Sequence, residues 1–155
     1  MLPILETTDT TKTFARPIVE VPQGCQILIA CDDSSAGQLK RVLVQAGMTV
    51  QTASSMTSAC HYARTGQFQV VVSKASLGDG SWWRLLDVAQ HYDAGFEIVL
   101  LADNFDFADW AQALEAGAFD VVDTLWGLTK VAETVKGALW AACLKAGGPS
   151  ADWAA

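Results

Sequence analysis

Basic residues are scarce in this sequence, and one long internal stretch has none. The 155 residues include 10 Lys+Arg against 17 Asp+Glu, which gives a formal net charge of −7. Between Arg84 and Lys130 there is no lysine or arginine, although carboxylates are frequent there. Such a surface repels the phosphates of nucleic acids and favours a basic protein partner.

Paired cysteines are also missing. The four cysteines show no C-x-x-C spacing, and only two histidines, His61 and His91, could join them in a metal site. We therefore expect no metal centre built on cysteine. Cys31 falls in an apolar strand and Cys60 in a helix, so both are expected to be buried free thiols.

Long apolar runs are absent as well. A membrane-spanning helix needs about 20 apolar residues, and no run approaches that length. The N-terminus lacks a basic region followed by an apolar one, which a signal peptide would require. These features predict no membrane association and a cytoplasmic location.

The chain instead alternates strand-like and helix-like segments, with 51% hydrophobic residues. Each predicted strand is followed by a helix that ends near a glycine. This pattern predicts an α/β, doubly wound (βα)5 flavodoxin-like fold, with a five-stranded parallel sheet in the order 2-1-3-4-5. We divide the chain into an N-terminal arm (1–24), one domain (25–146) and a C-terminal tail (147–155). The predicted strands are Gln26–Cys31, Met48–Ala53, a run around Val70, Phe96–Ala102 and Phe119–Val122.

Helix faces and caps follow from spacing. Ser54 or Ser55 is expected to cap the second helix and Ser81 to cap the third. The predicted apolar face of the fourth helix holds Phe107, Trp110, Ala111 and Leu114. The fifth helix, from about Gly127 to Lys145, has its apolar face at Leu128, Val131, Ala132, Val135, Leu139 and Ala142.

The candidate site lies where the third strand ends. Val70-Val71-Val72 predicts a strand buried on both faces, and the strand ends at Ser73-Lys74. In an open α/β sheet ligands bind at the carboxyl ends of the strands, at the point where the strand order reverses. That point lies between the first and third strands, so Asp32, Asp33 and Lys74 are expected to meet there.

Three segments carry a family resemblance: ILIACDDSS after the first strand, LGDGSW after the third, and EAGAFDVV before the fifth. With them, residues 25–146 resemble a bacterial response-regulator receiver domain of the CheY-like superfamily. The resemblance implies two acids that hold magnesium, a phosphoaccepting aspartate, a Ser/Thr and a lysine. Asp32 and Asp33 match the acids, whereas Lys74 stands at the acceptor position. Ala102 (or Leu101 in another register) stands at the Ser/Thr position, and Thr124 stands at the lysine position.

These substitutions make the chain a degenerate member, or pseudo-receiver. An ammonium group cannot be the carboxylate nucleophile that forms an acyl phosphate. We expect Lys74 to form an ion pair with Asp32, Asp33 or both; the alternative is that Lys74 extends into solvent while the acids cap the first helix. Either arrangement predicts no catalysis, no cofactor, and weak or absent magnesium binding, with Asp32 and Asp33 as the ligands if any ion binds.

Three functions remain open. The first is a two-component (phosphorelay) receiver that has lost the phosphoacceptor and acts as a phosphorylation-independent interaction module. The second is a working receiver phosphorylated on Asp32, Asp33 or Asp79, although Asp79 is explained by a local Gly-Asp-Gly turn. The third is a small flavodoxin-like enzyme or ligand carrier.

Tryptophans suggest a partner surface. Trp83, Trp126 and Trp140 are expected to face outward, and exposed tryptophans are enriched at interfaces. The alternative is that the arm or the tail covers one of them. We expect association, with a partner or as a homodimer, through the fourth helix, fifth strand and fifth helix. The candidate contact residues are Asp106, Asp109, Trp126, Lys130, Lys136 and Trp140.

Overall fold

The computed structural model describes residues 25–92, 95–102, 107–123 and 127–145. Five parallel strands form one sheet: β1 (Gln26–Ala30), β2 (Thr49–Ala53), β3 (Val70–Lys74), β6 (Glu97–Ala102) and β7 (Asp120–Asp123). Their order is β2-β1-β3-β6-β7. This is the predicted doubly wound order, with β6 and β7 as the predicted fourth and fifth strands. The proposed arm and tail lie outside the described residues.

Five helices cover the two faces of the sheet: α1 (Ser35–Gln45), α2 (Met56–Ala63), α3 (Trp83–His91), α4 (Phe107–Ala116) and α5 (Leu128–Lys145). The core consists of two hydrophobic clusters, one on each face of the sheet. Alternate residues of each strand belong to different clusters, because successive side chains point to opposite faces. Leu28 and Ala30 pack with α2, α3 and α4, whereas Ile27 and Ile29 pack with α1 and α5. Among the described helices, none is both long enough and apolar enough to cross a membrane.

Most of the predicted apolar faces are buried. On α2 the four predicted residues, Met56, Ala59, Cys60 and Ala63, are all buried. On α5 the predicted stripe is buried except for Leu128, which is half-buried. The four cysteines lie within the described residues and form no disulfide bond there, and Cys31 and Cys60 are buried as predicted.

The prediction for α4 was wrong. Its buried residue is Ala113, with Ala116 partly buried beside it, whereas Trp110 and Leu114 are 38% and 37% exposed. Ala111 is exposed as well. The helix contacts the core through small alanines, which allow a closer approach than tryptophan or leucine would. Trp110 and Leu114 are left at the surface, and the side chain of Phe107 is outside the described part of the structure.

A small hairpin separates β3 from α3, and the sequence analysis did not predict it. Strands β4 (Ser76–Leu77) and β5 (Gly80–Ser81) pair antiparallel around Gly78-Asp79. Ser81 therefore belongs to a strand and does not cap α3. Trp82 occupies the N-cap position without a side-chain cap, and its N–H donates to the Ala75 carbonyl at 3.0 Å.

Candidate functional site

The carboxyl ends of β1 and β3 bring one lysine and two aspartates together. The register pairs Ala30 of β1 with Ser73 of β3, so the residues that follow lie at the same edge of the sheet. Lys74 Nζ lies 3.3 Å from Asp32 Oδ1 and 3.1 Å from Asp33 Oδ2. The lysine forms an ion pair with both acids and does not extend away from them into solvent.

Asp33 has further hydrogen bonds at the start of α1. Its Oδ1 accepts from the Ser35 N–H at 2.8 Å and from the Cys31 thiol at 3.3 Å. These bonds, that of Ser35 first, and the bond from Lys74 hold the pKa of Asp33 well below its usual range. Asp33 therefore pairs with Lys74 and also accepts from the first residue of α1, so the predicted ion pair is present and, of the alternative, only the contact of an acid with the helix start.

The ammonium of Lys74 is held in its charged form. The hydrogen bond to Asp33, followed by that to Asp32, raises the Lys74 pKa above its usual value, although partial burial opposes this. Its side chain is 31% exposed, so solvent screens part of this attraction. Lys74 is consequently a cation at every pH near neutrality.

These residues do not fit a resident magnesium ion. Magnesium needs oxygen ligands in near-octahedral geometry, and a cation already bridges the two carboxylates. In the described part of the chain no group of three or more Asp, Glu, His or Cys side chains could hold a metal ion.

Solved structures with a similar fold are receiver domains. No family model and no curated protein matches the sequence. The signal receiver domain of a putative LuxO repressor from Vibrio parahaemolyticus superposes with a TM-score of 0.72 at 16% identity, over 78% of this chain and 94% of that one. A receiver domain from Clostridium thermocellum superposes with a TM-score of 0.69 at 20% identity, over 77% of this chain and 98% of that one. The chain has the receiver-domain fold.

A third similar structure is the beryllofluoride-activated NtrC4 receiver domain dimer, with a TM-score of 0.68 at 18% identity. It covers 76% of this chain and 98% of the other. At identities this low the likeness concerns the fold alone.

In this receiver fold, β6 lies next to β3 and β7 lies next to β6. The register places Leu101 opposite Lys74, and Ala102 opposite Asp123. Leu101 shares the face of Val70 and Val72, whereas Ala102 falls on the other face. The register thus places Leu101 beside Lys74 in the sheet, and the assignment of Ala102 or Leu101 to the Ser/Thr position stays a prediction. Neither carries a hydroxyl. Thr124 lies outside the described residues.

Sequence analysis missed the role of Asp79 in this receiver fold. Both carboxylate oxygens reach the start of α2: Oδ1 accepts from the Met56 N–H at 2.6 Å and Oδ2 from the Thr57 N–H at 2.9 Å. Ser55 also caps this helix, through the Ser58 N–H at 3.0 Å. The backbone bonds, first that of Thr57, lower the Asp79 pKa to about 2.

The candidate interface residues are partly described. Asp109 of α4 and Lys130 of α5 are exposed, while Lys136 and Trp140 are half-buried. Asp106 and Trp126 lie outside the described residues. Trp83 is 45% exposed, as predicted, and stacks on the buried Trp82 with ring centroids 4.9 Å apart.

Proposed function

We propose that this chain is a phosphorylation-independent receiver-type module of two-component (phosphorelay) signalling, acting in the cytoplasm. It binds a protein partner and catalyses no reaction of its own. The observation that carries the proposal is the ion pair of Lys74 with Asp32 and Asp33 at the end of β3. The resemblance to receivers assigns a phosphoaccepting aspartate to that position.

The remaining carboxylates near this edge are poor substitutes as acceptors. Asp79 accepts backbone hydrogen bonds through both oxygens. Asp33 accepts bonds from Ser35, Cys31 and Lys74. Hydrogen bonding of this kind stabilises the carboxylate and lowers its nucleophilicity toward a phosphoryl group. These contacts support the interaction module over a receiver that uses an unusual acceptor.

The first test is phosphorylation by a small donor. We expect the intact mass to stay unchanged after incubation with acetyl phosphate and magnesium, because no carboxylate stands at position 74. A stable phosphoryl group mapped to Asp32, Asp33 or Asp79 would instead establish the working receiver. A receiver with all family residues, treated in parallel, verifies that the donor is active.

The second test restores the carboxylate. In Lys74→Asp three carboxylates converge without a cation, so magnesium binding should appear by titration calorimetry where the wild type shows weak binding or none. Phosphorylation should still be slow, because neither Leu101 nor Ala102 supplies a hydroxyl. Tight magnesium binding by the wild type, or family-like phosphorylation of Lys74→Asp, would contradict the proposal.

The partner surface that we propose consists of α4, β7 and α5. The exposed side chains of Trp110 and Leu114 give α4 an apolar patch. Its charged residues Asp109 and Glu115 are acidic, whereas α5 carries Lys130 and Lys136. A two-fold pairing could set the acidic helix of one copy against the basic helix of the other. The NtrC4 receiver is described as a dimer, and we extend the possibility of a dimer to this chain.

A further inference from the structure

A groove between α2 and α3 is lined by basic side chains in an otherwise acidic protein. The groove has a volume of about 360 Å³. His61 of α2 and Arg64, which directly follows α2, lie on one side of the groove. Arg84 of α3 and Tyr92, which directly follows α3, lie on the other side. The groove is on the α2–α3 side of the molecule and does not include Lys74.

Arg84 is held in place by the β4–β5 hairpin. Its Nη1 donates to the Asp79 carbonyl at 3.1 Å and to Thr57 Oγ1 at 3.2 Å. Gly80 makes room for this arrangement, because a Cβ at that position would lie 2.8 Å from Arg84 Cδ. The guanidinium is therefore fixed against α2, with other N–H donors left over.

Arg64 is oriented from the other side of the groove. Its guanidinium carbon lies 5.6 Å from the centre of the Tyr92 ring, and Nη1 lies 3.4 Å from the Tyr92 hydroxyl. These contacts use the ring and one nitrogen. Like Arg84, it keeps N–H donors for another acceptor.

Among the residues that the structure describes, no carboxylate forms an ion pair with Arg64 or Arg84. Asp87 also lines the groove, so its lining residues include two arginines and one carboxylate. In a chain where acids outnumber bases, two arginines fixed in one groove without an ion-pair partner indicate a site for an external anion.

We propose that the α2–α3 groove binds a small oxyanion, a phosphate or carboxylate group, through Arg64 and Arg84. A guanidinium fits such groups well, because its planar N–H donors can form two parallel bonds to their oxygens. The site is independent of Lys74 and of phosphotransfer. It gives the module a place to sense a small anionic ligand.

The test titrates inorganic phosphate, and separately citrate, into ¹⁵N-labelled protein at constant ionic strength set with sodium chloride. Saturable amide shifts are expected at residues 57–64 and 84–92. Tighter binding of phosphate or of citrate supports the proposal and identifies the preferred group. An absence of saturable shifts with both anions overturns it.

Variants separate the groove from general charge effects. Arg64→Gln should weaken binding about tenfold, the loss expected for a charge-assisted hydrogen bond. Arg41→Gln, on the exposed surface of α1, removes the same charge outside the groove and should change affinity by less than about twofold. Lys74→Met should also leave binding unchanged, which separates this site from the β1–β3 edge. Equal weakening by Arg41→Gln and Arg64→Gln, or loss of binding in Lys74→Met, contradicts the assignment.

Discussion

The residue at the centre of the candidate site is Lys74, whose ammonium group lies between two carboxylates. Two carboxylates that face each other at the end of a sheet repel, and either a metal ion or a side-chain cation can relieve that repulsion. Here an ammonium contacts both acids, at 3.3 and 3.1 Å. The strands and loops of the site can therefore persist without a metal.

Removing the ammonium should destabilise the protein modestly. Lys74→Met is expected to lower the free energy of unfolding by about 1 kcal/mol, because all three groups are partly exposed. Asp33→Asn should offset much of that loss, since it removes one of the repelling charges and its amide oxygen can still accept from Ser35. Urea unfolding of both single variants and the double variant measures the coupling.

The pH dependence of this coupling follows from the direction of the pKa shifts. The Asp33 pKa is lower in the folded protein than in the unfolded chain. Asp33 therefore stabilises the fold at pH values above its unfolded-state pKa, and this stabilisation is lost as the pH falls through its folded-state pKa. The Lys74 pKa is higher in the folded protein than in the unfolded chain. Lys74 therefore stabilises the fold fully at pH values below its unfolded-state pKa, and this stabilisation is lost as the pH rises through its folded-state pKa. The coupling should stay constant from about pH 5 to pH 9. A coupling near zero in this range would mean that the two charges do not interact in solution.

At the scale of single residues, the contacts that could be predicted from the sequence are those that the strand order determines. Asp32, Asp33 and Lys74 follow two adjacent parallel strands, so their meeting required only the strand order. The partners of Asp79 could not be predicted in this way. They are Met56 and Thr57, more than twenty residues earlier in the chain, and the contact depends on a hairpin whose strands have two residues each.

At the scale of elements, Asp79 links the hairpin to α2. Its two oxygens accept from successive N–H groups in the first turn of the helix, where backbone donors have no partner within the helix. The link holds the β4–β5 turn against α2, and Arg84 contacts the same turn through the Asp79 carbonyl. Three elements are thus joined at one residue.

Substitution of Asp79 should lower the melting temperature in a graded order. Asp79→Ala removes both acceptors and should be less stable than Asp79→Asn, which keeps one oxygen acceptor. The Asp79 pKa is lowered to about 2, so its contribution is present above the unfolded value of about 3.9 and is lost as the pH falls toward 2. Thermal melts of both variants at neutral and acidic pH test this.

The control is Glu133→Ala, which removes an exposed carboxylate from α5. It should leave the melting temperature nearly unchanged. If Asp79→Ala has the same melting temperature as the wild type and Glu133→Ala, the Asp79 cap does not contribute to stability in solution.

The error on α4 has a physical cause at the same scale. Its apolar residues fall into two groups, large ones at Trp110 and Leu114 and alanines at Ala113 and Ala116. Periodicity alone selects the large group as the core face. The space between the helix and the sheet decides the outcome, and that space is a property of the assembled fold. On α2 the apolar residues form one stripe, and on α5 the longest apolar stripe is the buried one, so the same method succeeded there.

For the molecule as a whole, the uneven charge distribution and the exposed patch on α4 favour association. The stretch between Arg84 and Lys130 has no basic residue, and α5 supplies lysines after it. Trp110 and Leu114 give an apolar centre to a surface that is otherwise charged. Interfaces commonly combine such a centre with a polar rim.

We therefore expect concentration-dependent dimers in sedimentation velocity, unaffected by acetyl phosphate because the proposed module has no phosphoryl switch. Higher salt should weaken them, since the Debye length falls from about 10 Å at 0.1 M to about 3 Å at 1 M. Trp110→Ala should weaken them at both salt concentrations, because apolar burial is not screened. Charge reversal offers a second measurement: Asp109→Lys or Lys130→Asp alone should weaken the dimer, and the two together should restore part of the affinity.

Val44→Ala is the control for this prediction, because Val44 is an exposed apolar side chain of α1, outside the proposed surface. Trp140 is half-buried, so its removal would also disturb packing and is less informative. Equal weakening by Val44→Ala and Trp110→Ala would place the contact elsewhere. A monomer at every protein concentration and at both salt concentrations would exclude self-association. The surface would then bind a different protein, and because the stretch between Arg84 and Lys130 has no lysine or arginine, we expect that partner to be basic.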